Sequence, residues 1–369
     1  MATSTGDAAT ARRVPAPGAP DLQPGTGLVV TRHDDVCAVL SRPATYQVPP
    51  VPAVGQPGSV SWLRSAVSRF SNDSDHARRR ALVVAELDRI APGALRADAE
   101  RRAHAVLDAA GRGPLDVMTD LARRVPLTAL AAAAGCADPE AVAGHAIVTA
   151  GAYFPGASAE REAAAAASVT ELTRLLRPSG AVPDDRSAQE LIAARIAMLI
   201  QACDATAGLI GKAVGRALPP GRDAGGQAGP GDGPGRAASA PAWPTEAILA
   251  EVLRHDPPLR VMRRVCTRDA ELAGQPVTAG TPVLLQVEVA NRDPAVFAEP
   301  DDFDPGRPGT GGLTFGAGPR RCPADQHALM LAAGVVQAVR ERCAGLSGPA
   351  EYDPAAALSV PVSVLVELR

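Results

Sequence analysis

Helical periodicity dominates the sequence from residue 62 to residue 215. Apolar residues recur there at intervals of three and four, in segments such as HARRRALVVAELDRI, DLARRVPLTALAAAAG and ELIAARIAMLIQACDATAGLIGKAV, as they do on one face of a helix. Apolar residues make up 46% of the chain, but aromatic residues make up only 3%. Much of the apolar fraction is alanine, which is the strongest helix former and a poor strand former. The pattern therefore predicts a mainly helical protein with closely packed helices.

Strand signals flank this helical region. Near the N-terminus, GLVVTRHDDVCAVL (residues 27–40) predicts a strand followed by a short helix. After Pro257 and Pro258, the segments RRVCTRDAEL and TPVLLQVEVA predict two strands, with a turn at Ala279–Gly280, and SVPVSVLVELR predicts a strand that closes the chain. We therefore expect an α+β fold, mainly α, with a small sheet contributed by both ends of the chain.

Two segments have the composition of flexible chain. Residues 1–26 are rich in Pro, Gly and Ala and predict a loose N-terminal arm. Residues 216–244 form a Gly/Pro-rich stretch with little to bury, which predicts an internal loop. A helix is expected to restart at Thr245, acting as its N-cap after Pro244.

Charge and cysteine usage narrow the class of protein. A net charge of −3 and an isoelectric point near 6.1 give no electrostatic case for binding nucleic acid. The six cysteines lie far apart without a C-x-x-C pair, so a disulfide framework is not expected. The first residues lack the apolar core of a signal peptide, and no apolar run reaches the roughly 18 residues that span a bilayer. We expect a cytoplasmic protein with reduced thiols and no membrane partner.

The segment LTFGAGPRRCPADQHALMLAAGVV (residues 313–336) gives the clearest indication of a functional site. An apolar strand end leads into Phe315-Gly316-Ala317-Gly318, then Cys322, then a long apolar helix. Glycines permit a tight turn and close approach of the backbone to a ligand. A helix N-terminus next to the cysteine would stabilise a thiolate. The competing interpretation is a buried structural cysteine after a glycine turn.

Two further pairs have helical spacing. His76 and Arg80 lie four residues apart on one helix face and can both donate to an anion, although an exposed basic turn would show the same pattern. Glu251 and Arg254 lie three apart and can pair, but Glu171–Arg174 has the same spacing and a solvated pair is the usual outcome.

Taken in order along the chain, these motifs resemble the cytochrome P450 family. FGAGPRRC is similar to that family's cysteine loop, F-G-x-G-x-[H/R]-x-C, and Ala324 stands where the loop usually has a glycine. The Glu251–Arg254 pair, the diproline, ANRDP and FDPGR precede it in the family's order. The resemblance extends over residues 27–369 and implies a P450-like single large domain that binds haem b.

The resemblance also implies roles for single residues. Cys322 would be the axial ligand to the haem iron, in a loop that includes Phe315 and Gly316. The haem propionates would be bound by His76, Arg80, Arg264 and Arg320. A buried network supporting the cysteine loop would consist of Glu251, Arg254 and Arg307.

Asp204 interrupts the otherwise apolar helical stretch MLIQACDATAGLIG (residues 198–211). An aspartate held by a nearby arginine or backbone group would account for it. By resemblance, Asp204 falls on the family's proton-delivery acid and Ala205 on the alcohol that usually follows. Thr206 comes one position later, about 100° round the helix, so the hydroxyl is missing. We expect protons to reach oxygen from ordered water or from the substrate's own polar group.

The resemblance implies a bacterial haem-thiolate monooxygenase that oxidises a small organic molecule with dioxygen and electrons from a ferredoxin-type partner, as a monomer, in secondary-metabolite biosynthesis. The alternatives are a catalytically silent activator or scaffold, and oxidative coupling, heteroatom oxidation or peroxide-driven chemistry. The exposed charges of Arg78, Arg79 and Arg321 would attract an acidic partner or would be ordinary solvated charges. Candidate substrate contacts are Gln201, Ala202, Leu259, Val261 and Met262.

Overall fold

The computed structural model has a mainly helical architecture with small sheets, as the sequence predicts. It describes residues 27–52, 55–111, 113–154, 156–177, 185–220, 243–308, 312–352 and 358–369. The expected N-terminal arm (1–26) and most of the Gly/Pro-rich loop (216–244) lie outside the described residues.

The helices follow the apolar periodicity of the sequence. Their bounds are α1 His33–Leu40, α2 Val60–Ala66, α3 Asp73–Leu87, α4 Pro92–Ala110, α5 Arg124–Ala133, α6 Pro139–Ala150, α7 Ala159–Leu175, α8 Arg186–Ala217, α9 Thr245–His255, α10 Val287–Ala290 and α11 Asp325–Arg342. Short 3₁₀ turns occur at Ser68–Phe70 and Gly318–Arg320, and a π-helical turn at Met118–Ala122.

The long helix α8 is the centre of the helical core. It contacts α3, α5, α6, α7, α9 and α11, and its Ala- and Ile-rich surface is buried along most of its length. By length and composition α8 could cross a membrane, but 67% of its most apolar window is buried inside the protein. Small side chains here let neighbouring helices approach closely, which is the physical counterpart of the alanine-rich composition.

The only lysine of the chain anchors α8 to the segment that follows α9. Lys212 is buried and pairs with Asp256, and its ammonium also donates to the Ser359 hydroxyl at 2.8 Å. Burial lowers the pKa of Lys212, while Asp256 acts in the opposite direction. The backbone N–H of Ser359 in turn donates to the Pro258 carbonyl at 2.8 Å. These bonds fix the diproline against the middle of the molecule.

A four-stranded sheet combines the N-terminal region with residues 261–286. Its strands are β1 Leu28–Val30, β2 Tyr46–Gln47, β4 Val261–Cys266 and β7 Pro282–Gln286, in the order β1-β7-β4-β2. β1 is parallel to β7, with Leu28 opposite Val283, whereas β4 runs antiparallel to both β7 and β2. The paired strand signals after the diproline are therefore confirmed in part, because β4 and β7 pair as expected. The end of the first signal forms a separate hairpin of β5 Ala270–Leu272 and β6 Gln275–Val277, and the end of the second, Val287–Ala290, is helical.

The C-terminal strand does not join that sheet, which corrects the expectation of one sheet from both chain ends. β11 Leu365–Leu368 pairs with β8 Cys343–Leu346 and with β3 Pro114–Asp116 in a separate three-stranded sheet. β9 Glu351–Tyr352 and β10 Pro361–Ser363 form a further pair. β3 interrupts the stretch predicted to be helical because Gly111 ends α4 with a φ of 68°, and Pro114 lacks the N–H that a helix interior requires.

The start of α9 also differs slightly from the prediction. Thr245 is the first helical residue, and Pro244 occupies the N-cap position without a side-chain cap. The buried Thr245 hydroxyl instead donates to Gln337 Oε1 and accepts from Arg340, each at 2.7 Å. Tertiary contacts to α11 therefore use the hydroxyl that the local sequence assigned to capping.

Gly334 sets the crossing of α4 and α11. A Cβ at this position would lie 2.4 Å from the Arg96 carbonyl oxygen and 2.8 Å from the Glu100 backbone nitrogen. Because both atoms belong to backbone, the helices could accommodate a side chain only by separating. Only glycine therefore permits this contact.

We expect Gly334→Ala to lower the free energy of unfolding by about 1–3 kcal/mol through overpacking, despite the better helix propensity of alanine. The matched control is Gly144→Ala in α6, where no atom lies within 4 Å of the added Cβ, and which should stabilise by about 0.5–1 kcal/mol. Urea denaturation of both variants measures the difference. Equal stabilisation by the two substitutions would contradict the close-approach argument.

Candidate functional site

The cysteine loop is a tight turn pressed against α1. Gly316 and Gly318 have φ values of 74° and 64°, which glycine adopts readily and other residues rarely do. A Cβ on Gly318 would lie 2.8 Å from the Leu40 carbonyl oxygen. The Cys322 N–H donates to the Phe315 carbonyl at 2.8 Å, closing the loop just before α11 begins. Backbone geometry thus holds Cys322 in one position.

The protein groups around Cys322 act in opposing directions on its thiol. Burial raises the pKa of the Cys322 thiol, and Asp325 adds to that effect. The Ala324 N–H, which donates to the sulfur, and the charges of Arg80 and Arg321 lower the pKa in part. The net direction is upward, so these groups alone favour the neutral thiol. A coordinated metal cation would deprotonate such a thiol outright.

A cluster of basic side chains lies beside the loop. Burial lowers the pKa of His76 to about 4, and the charges of Arg320, Arg80 and Arg264 contribute to the shift. Burial, then the neighbouring arginines, likewise lower the pKa of Arg264 and of Arg320 to about 10. These mutual effects show that the four side chains predicted to act together converge in space. At neutral pH His76 is uncharged and offers an N–H donor, whereas the arginines remain cationic.

The positive charges of this cluster exceed the negative charges around them. Among the described residues, no ion pair joins Arg80, Arg264 or Arg320 to an acidic side chain. Asp73 is the acidic group that affects Arg320, and its carboxylate also accepts from the Gln47 amide at 3.0 Å. Arg320 instead donates to the Ser68 and Arg69 carbonyls at 3.3 Å, and Arg264 donates to the Arg263 carbonyl at 2.7 Å. Carbonyls do not neutralise the positive charge, and paired carboxylates such as the two haem propionates would do so. The residues present therefore fit a haem group.

Sequence reasoning missed one member of the cluster. The charge of Arg69 lowers the pKa of both Arg264 and Arg320. Its guanidinium lies over the Phe154 ring, 5.0 Å from the centroid. Arg69 belongs to the 3₁₀ turn before α3 and lies outside the spacing of the His76–Arg80 pair, so no local signal indicates it.

Glu251 and Arg254 form the buried pair expected from the sequence. Arg254 donates through Nε and Nη2 to the two Glu251 oxygens at 2.9 and 2.6 Å, and the side chains are only 5% and 4% exposed. The Asp304 N–H also donates to Glu251, at 2.9 Å. Arg307 Nε lies 3.7 Å from Glu251 Oε1, within ion-pair distance but too far for a hydrogen bond. The three residues are thus together, with Arg254 as the principal partner.

Carbonyl oxygens accept from the other donors of Arg254 and from the terminal nitrogens of Arg307. Arg254 also donates to the carbonyls of Asn291, Pro300 and Asp302, at 3.2, 2.7 and 2.8 Å. Arg307 donates to Ala298 and, at 3.0 Å, to Glu299. The network thereby fixes the irregular chain between α10 and the cysteine loop to α9.

Asn291 is the link between this network and the cysteine loop. It is fully buried, accepts from the Leu313 N–H at 2.6 Å and donates to the Thr314 hydroxyl at 3.1 Å. Thr314 in turn donates to the Leu253 carbonyl of α9 at 2.5 Å. The ANRDP motif contains Asn291, but its position in sequence does not reveal these partners.

Asp204 on α8 is paired with an arginine from the neighbouring helix end. Arg123 Nε donates to Asp204 Oδ1 at 3.0 Å, and both side chains are about one-third exposed. This is the simpler of the two explanations that the sequence left open. Thr206 is buried, at 3% exposure, while Ala205 is half-buried. Thr206 therefore lies on a different part of the helix surface from Ala205.

The candidate substrate contacts come from α8 and from the segment that begins at the diproline. α8 approaches the diproline at Gly208, where a Cβ would lie 3.0 Å from Pro258 Cβ. Met262 on β4 has its terminal methyl 3.8 Å from the Cβ position of Gly316. Of the other candidate substrate contacts, Ala202, Leu259 and Val261 are partly exposed, and Gln201 is exposed.

The arginines considered for partner attraction are engaged in ion pairs. Arg78 and Arg79 both contact Glu190 of α8, at 2.7 and 3.3 Å, and the Arg79 side chain is only 12% exposed. Arg321 pairs with Asp325 at 2.7 Å. Arg79 is therefore a structural residue, while Arg78 and Arg321 remain about half exposed.

We expect Glu251→Gln to cost about 3–5 kcal/mol of unfolding free energy, because it leaves the Arg254 charge buried without its carboxylate. The control is Glu171→Gln, which breaks a pair of the same spacing with both partners exposed and should change stability by less than about 1 kcal/mol. Denaturant unfolding compares the variants. A similar small effect at both positions would contradict a supporting role for the network.

Comparison with known proteins shows which family this region of the sequence resembles. The sequence model of the family "Cytochrome P450" matches residues 244–332, which include the Glu251 network and Cys322. Cytochrome P450 105C1 of a Streptomyces species is 39% identical over 102 residues, covering 27% of this chain and 26% of that protein. Erythromycin C-12 hydroxylase of Saccharopolyspora erythraea is 44% identical over 78 residues, covering 21% and 20%.

The aligned segments span about a quarter or less of the length of these curated relatives. The structural match covers much more of the chain than these sequence alignments do. The crystal structure of P450BioI, solved with an acyl carrier protein bearing hexadec-9Z-enoic acid, superposes with a TM-score of 0.75 over 93% of this chain and 92% of that one, at 20% identity. The chain therefore shares the fold of P450BioI along almost its whole length, and its cysteine-loop region resembles the cytochrome P450 family in sequence.

Proposed function

We propose that this chain is a haem-thiolate monooxygenase that oxidises a small organic molecule. The observation that carries the proposal is the placement of Cys322, on a glycine turn fixed to α1 and supported by the Glu251 network. It lies beside a basic cluster whose arginines form no ion pair with an acidic side chain among the described residues. The cofactor of the cytochrome P450 family is haem b. When bound, it supplies the iron centre that activates dioxygen.

Each part of the site has a task in this proposal. Cys322 ligates the iron through its thiolate, in the loop formed by Phe315 and Gly316. His76, Arg80, Arg264 and Arg320 bind the two propionates, which supply the negative charge that the cluster needs. Glu251, Arg254 and Arg307 hold the chain that leads to the loop. The substrate contacts α8 at Gln201 and Ala202 and the segment after the diproline at Leu259, Val261 and Met262.

Proton delivery is the unusual step. Asp204 lies on α8 next to Ala205, and its carboxylate is held by Arg123. Ala205 carries no hydroxyl, so the side chain at this position neither donates nor accepts a proton. Thr206 is buried and does not replace it. Ordered water, or a polar group of the substrate, then passes protons between Asp204 and the reacting oxygen.

The resemblance to the cytochrome P450 family also suggests the electron donor, the cellular location and the metabolic role. Electrons come one at a time from a ferredoxin-type protein in the cytoplasm, and the half-exposed Arg78 and Arg321 add positive charge to the surface that such an acidic partner would meet. The name of the relative erythromycin C-12 hydroxylase places that protein in secondary metabolism, and we propose a biosynthetic role of the same kind here.

A second candidate function is a catalytically silent activator or scaffold for another enzyme. The observation that favours it is the absence of a hydroxyl at Ala205. Against it, the thiol, the basic cluster and the buried network are all in place. Oxidative coupling, heteroatom oxidation and peroxide-driven chemistry would also dispense with that hydroxyl. Consumption of NAD(P)H with a surrogate ferredoxin system separates the monooxygenase from the silent protein and from a peroxide-driven enzyme.

Purified protein reduced with dithionite and exposed to carbon monoxide should show a strongly red-shifted Soret band in the difference spectrum, because the Cys322 thiolate would ligate the haem iron. Cys322→Ala should abolish this band, whereas Cys136→Ser, at a half-buried cysteine outside the site, should retain it. Folded protein that shows no haem absorbance after haem is supplied would overturn the monooxygenase proposal and favour the silent one.

Ala205→Thr should change the fraction of NAD(P)H electrons recovered in product, since it restores a hydroxyl beside Asp204. Ala205→Val is the matched control, because valine has the shape of threonine without its hydroxyl. Product and hydrogen peroxide are measured per NAD(P)H consumed. Identical coupling in the threonine and valine variants would refute the proposed proton route.

A further inference from the structure

We propose that Glu100, His104 and Glu341 form a binding site for a divalent transition-metal ion, with zinc as the best fit. Their ligating atoms all lie within 4.8 Å of one another. The three residues belong to α4 and α11. None of them takes part in the proposed haem site, so this inference is independent of the proposed function.

Helix geometry brings the three ligands together. Glu100 and His104 lie four residues apart on α4, which places both side chains on one face, one turn apart. Glu341 lies two turns beyond Gly334 on α11, and Gly334 is where the two helices touch backbone to backbone. The glycine contact thus fixes the spacing between the helix that supplies two ligands and the helix that supplies the third.

Contacts around Glu341 hold its carboxylate in place. His104 Nε2 lies 3.2 Å from Glu341 Oε2. On the other oxygen, the Gln337 amide donates to Glu341 Oε1 at 2.7 Å. The Gln337 amide oxygen accepts from the buried Thr245 hydroxyl at 2.7 Å. Outer hydrogen bonds of this kind orient metal ligands and sharpen affinity.

The donor set selects the class of metal. One imidazole nitrogen and two carboxylate oxygens are ordinary zinc ligands, and three protein ligands leave a coordination position for water. Calcium and magnesium prefer sites made of oxygen alone. The imidazole therefore favours zinc and the later first-row divalent ions over the alkaline-earth ions.

An ion can reach these side chains from solvent. Glu100 and Glu341 border an open groove of about 510 Å³ between α4, α11 and the start of α9, and the side chains of His104 and Glu341 are 29% and 46% exposed. The two arginines that also border the groove are engaged elsewhere. Arg96 pairs with Glu246, and Arg340 donates to Thr245 and to the Trp243 carbonyl.

A bound ion would tie the C-terminal end of α11 to α4. Because α11 begins three residues after Cys322, this helix also carries the cysteine loop at its other end. We therefore assign the site a structural task, in which the ion fastens α11 to the helical core at the end remote from the cysteine.

The test is isothermal titration of the chelator-treated full-length protein with zinc chloride, together with the thermal unfolding midpoint. We expect one zinc ion per chain at this site, and a higher midpoint with zinc than with magnesium. His104→Ala and Glu341→Gln should each weaken binding at least about tenfold and remove the zinc-dependent rise of the midpoint.

Glu171→Gln is the matched control, an exposed helical glutamate that pairs only with Arg174 in the described structure. It should keep the affinity of the unaltered protein. Unfolding without zinc reports whether each variant is folded. Unchanged stoichiometry and affinity in both ligand variants would show that zinc binds elsewhere, for example at a cysteine, and would overturn the proposal.

Discussion

The ion pair between Glu251 and Arg254 is the interaction on which the second half of the structure depends. Desolvating two charges is expensive, and attraction repays this cost only when geometry is good and the remaining donors are bonded. Both conditions hold, because the contact is bidentate and carbonyls take up the other N–H groups of Arg254. The pair therefore gives the irregular chain before the cysteine loop a fixed attachment to α9.

Close backbone contacts complete the frame around the site. Gly318 brings the cysteine loop against the end of α1, and Gly334 brings α11 against α4. In each case a methyl group would meet a backbone atom, which cannot rotate away as a side chain can. The position of the cysteine is thus set from two directions, by the loop that precedes it and by the helix that follows it.

Electrostatics make the site receptive to a particular group. Burial disfavours charge both on Cys322 and on the arginines beside it. A group that brings a metal cation to the thiol and carboxylates to the arginines relieves both penalties together. Haem b has this distribution of charge, so the proposed function assigns the basic cluster and the Cys322 thiol to one site.

The sequence alone determined the helical character, the main strands and the glycine–cysteine loop, because periodicity and glycine content are local properties. It also indicated the pairing of Glu251 with Arg254, since residues three apart on a helix share a face. Only the tertiary structure decided that Arg123 binds Asp204, that Arg69 joins the basic cluster and that β11 pairs with β3 and β8. These partners lie far apart along the chain, and their contacts depend on how the helices pack around α8, which no local pattern encodes.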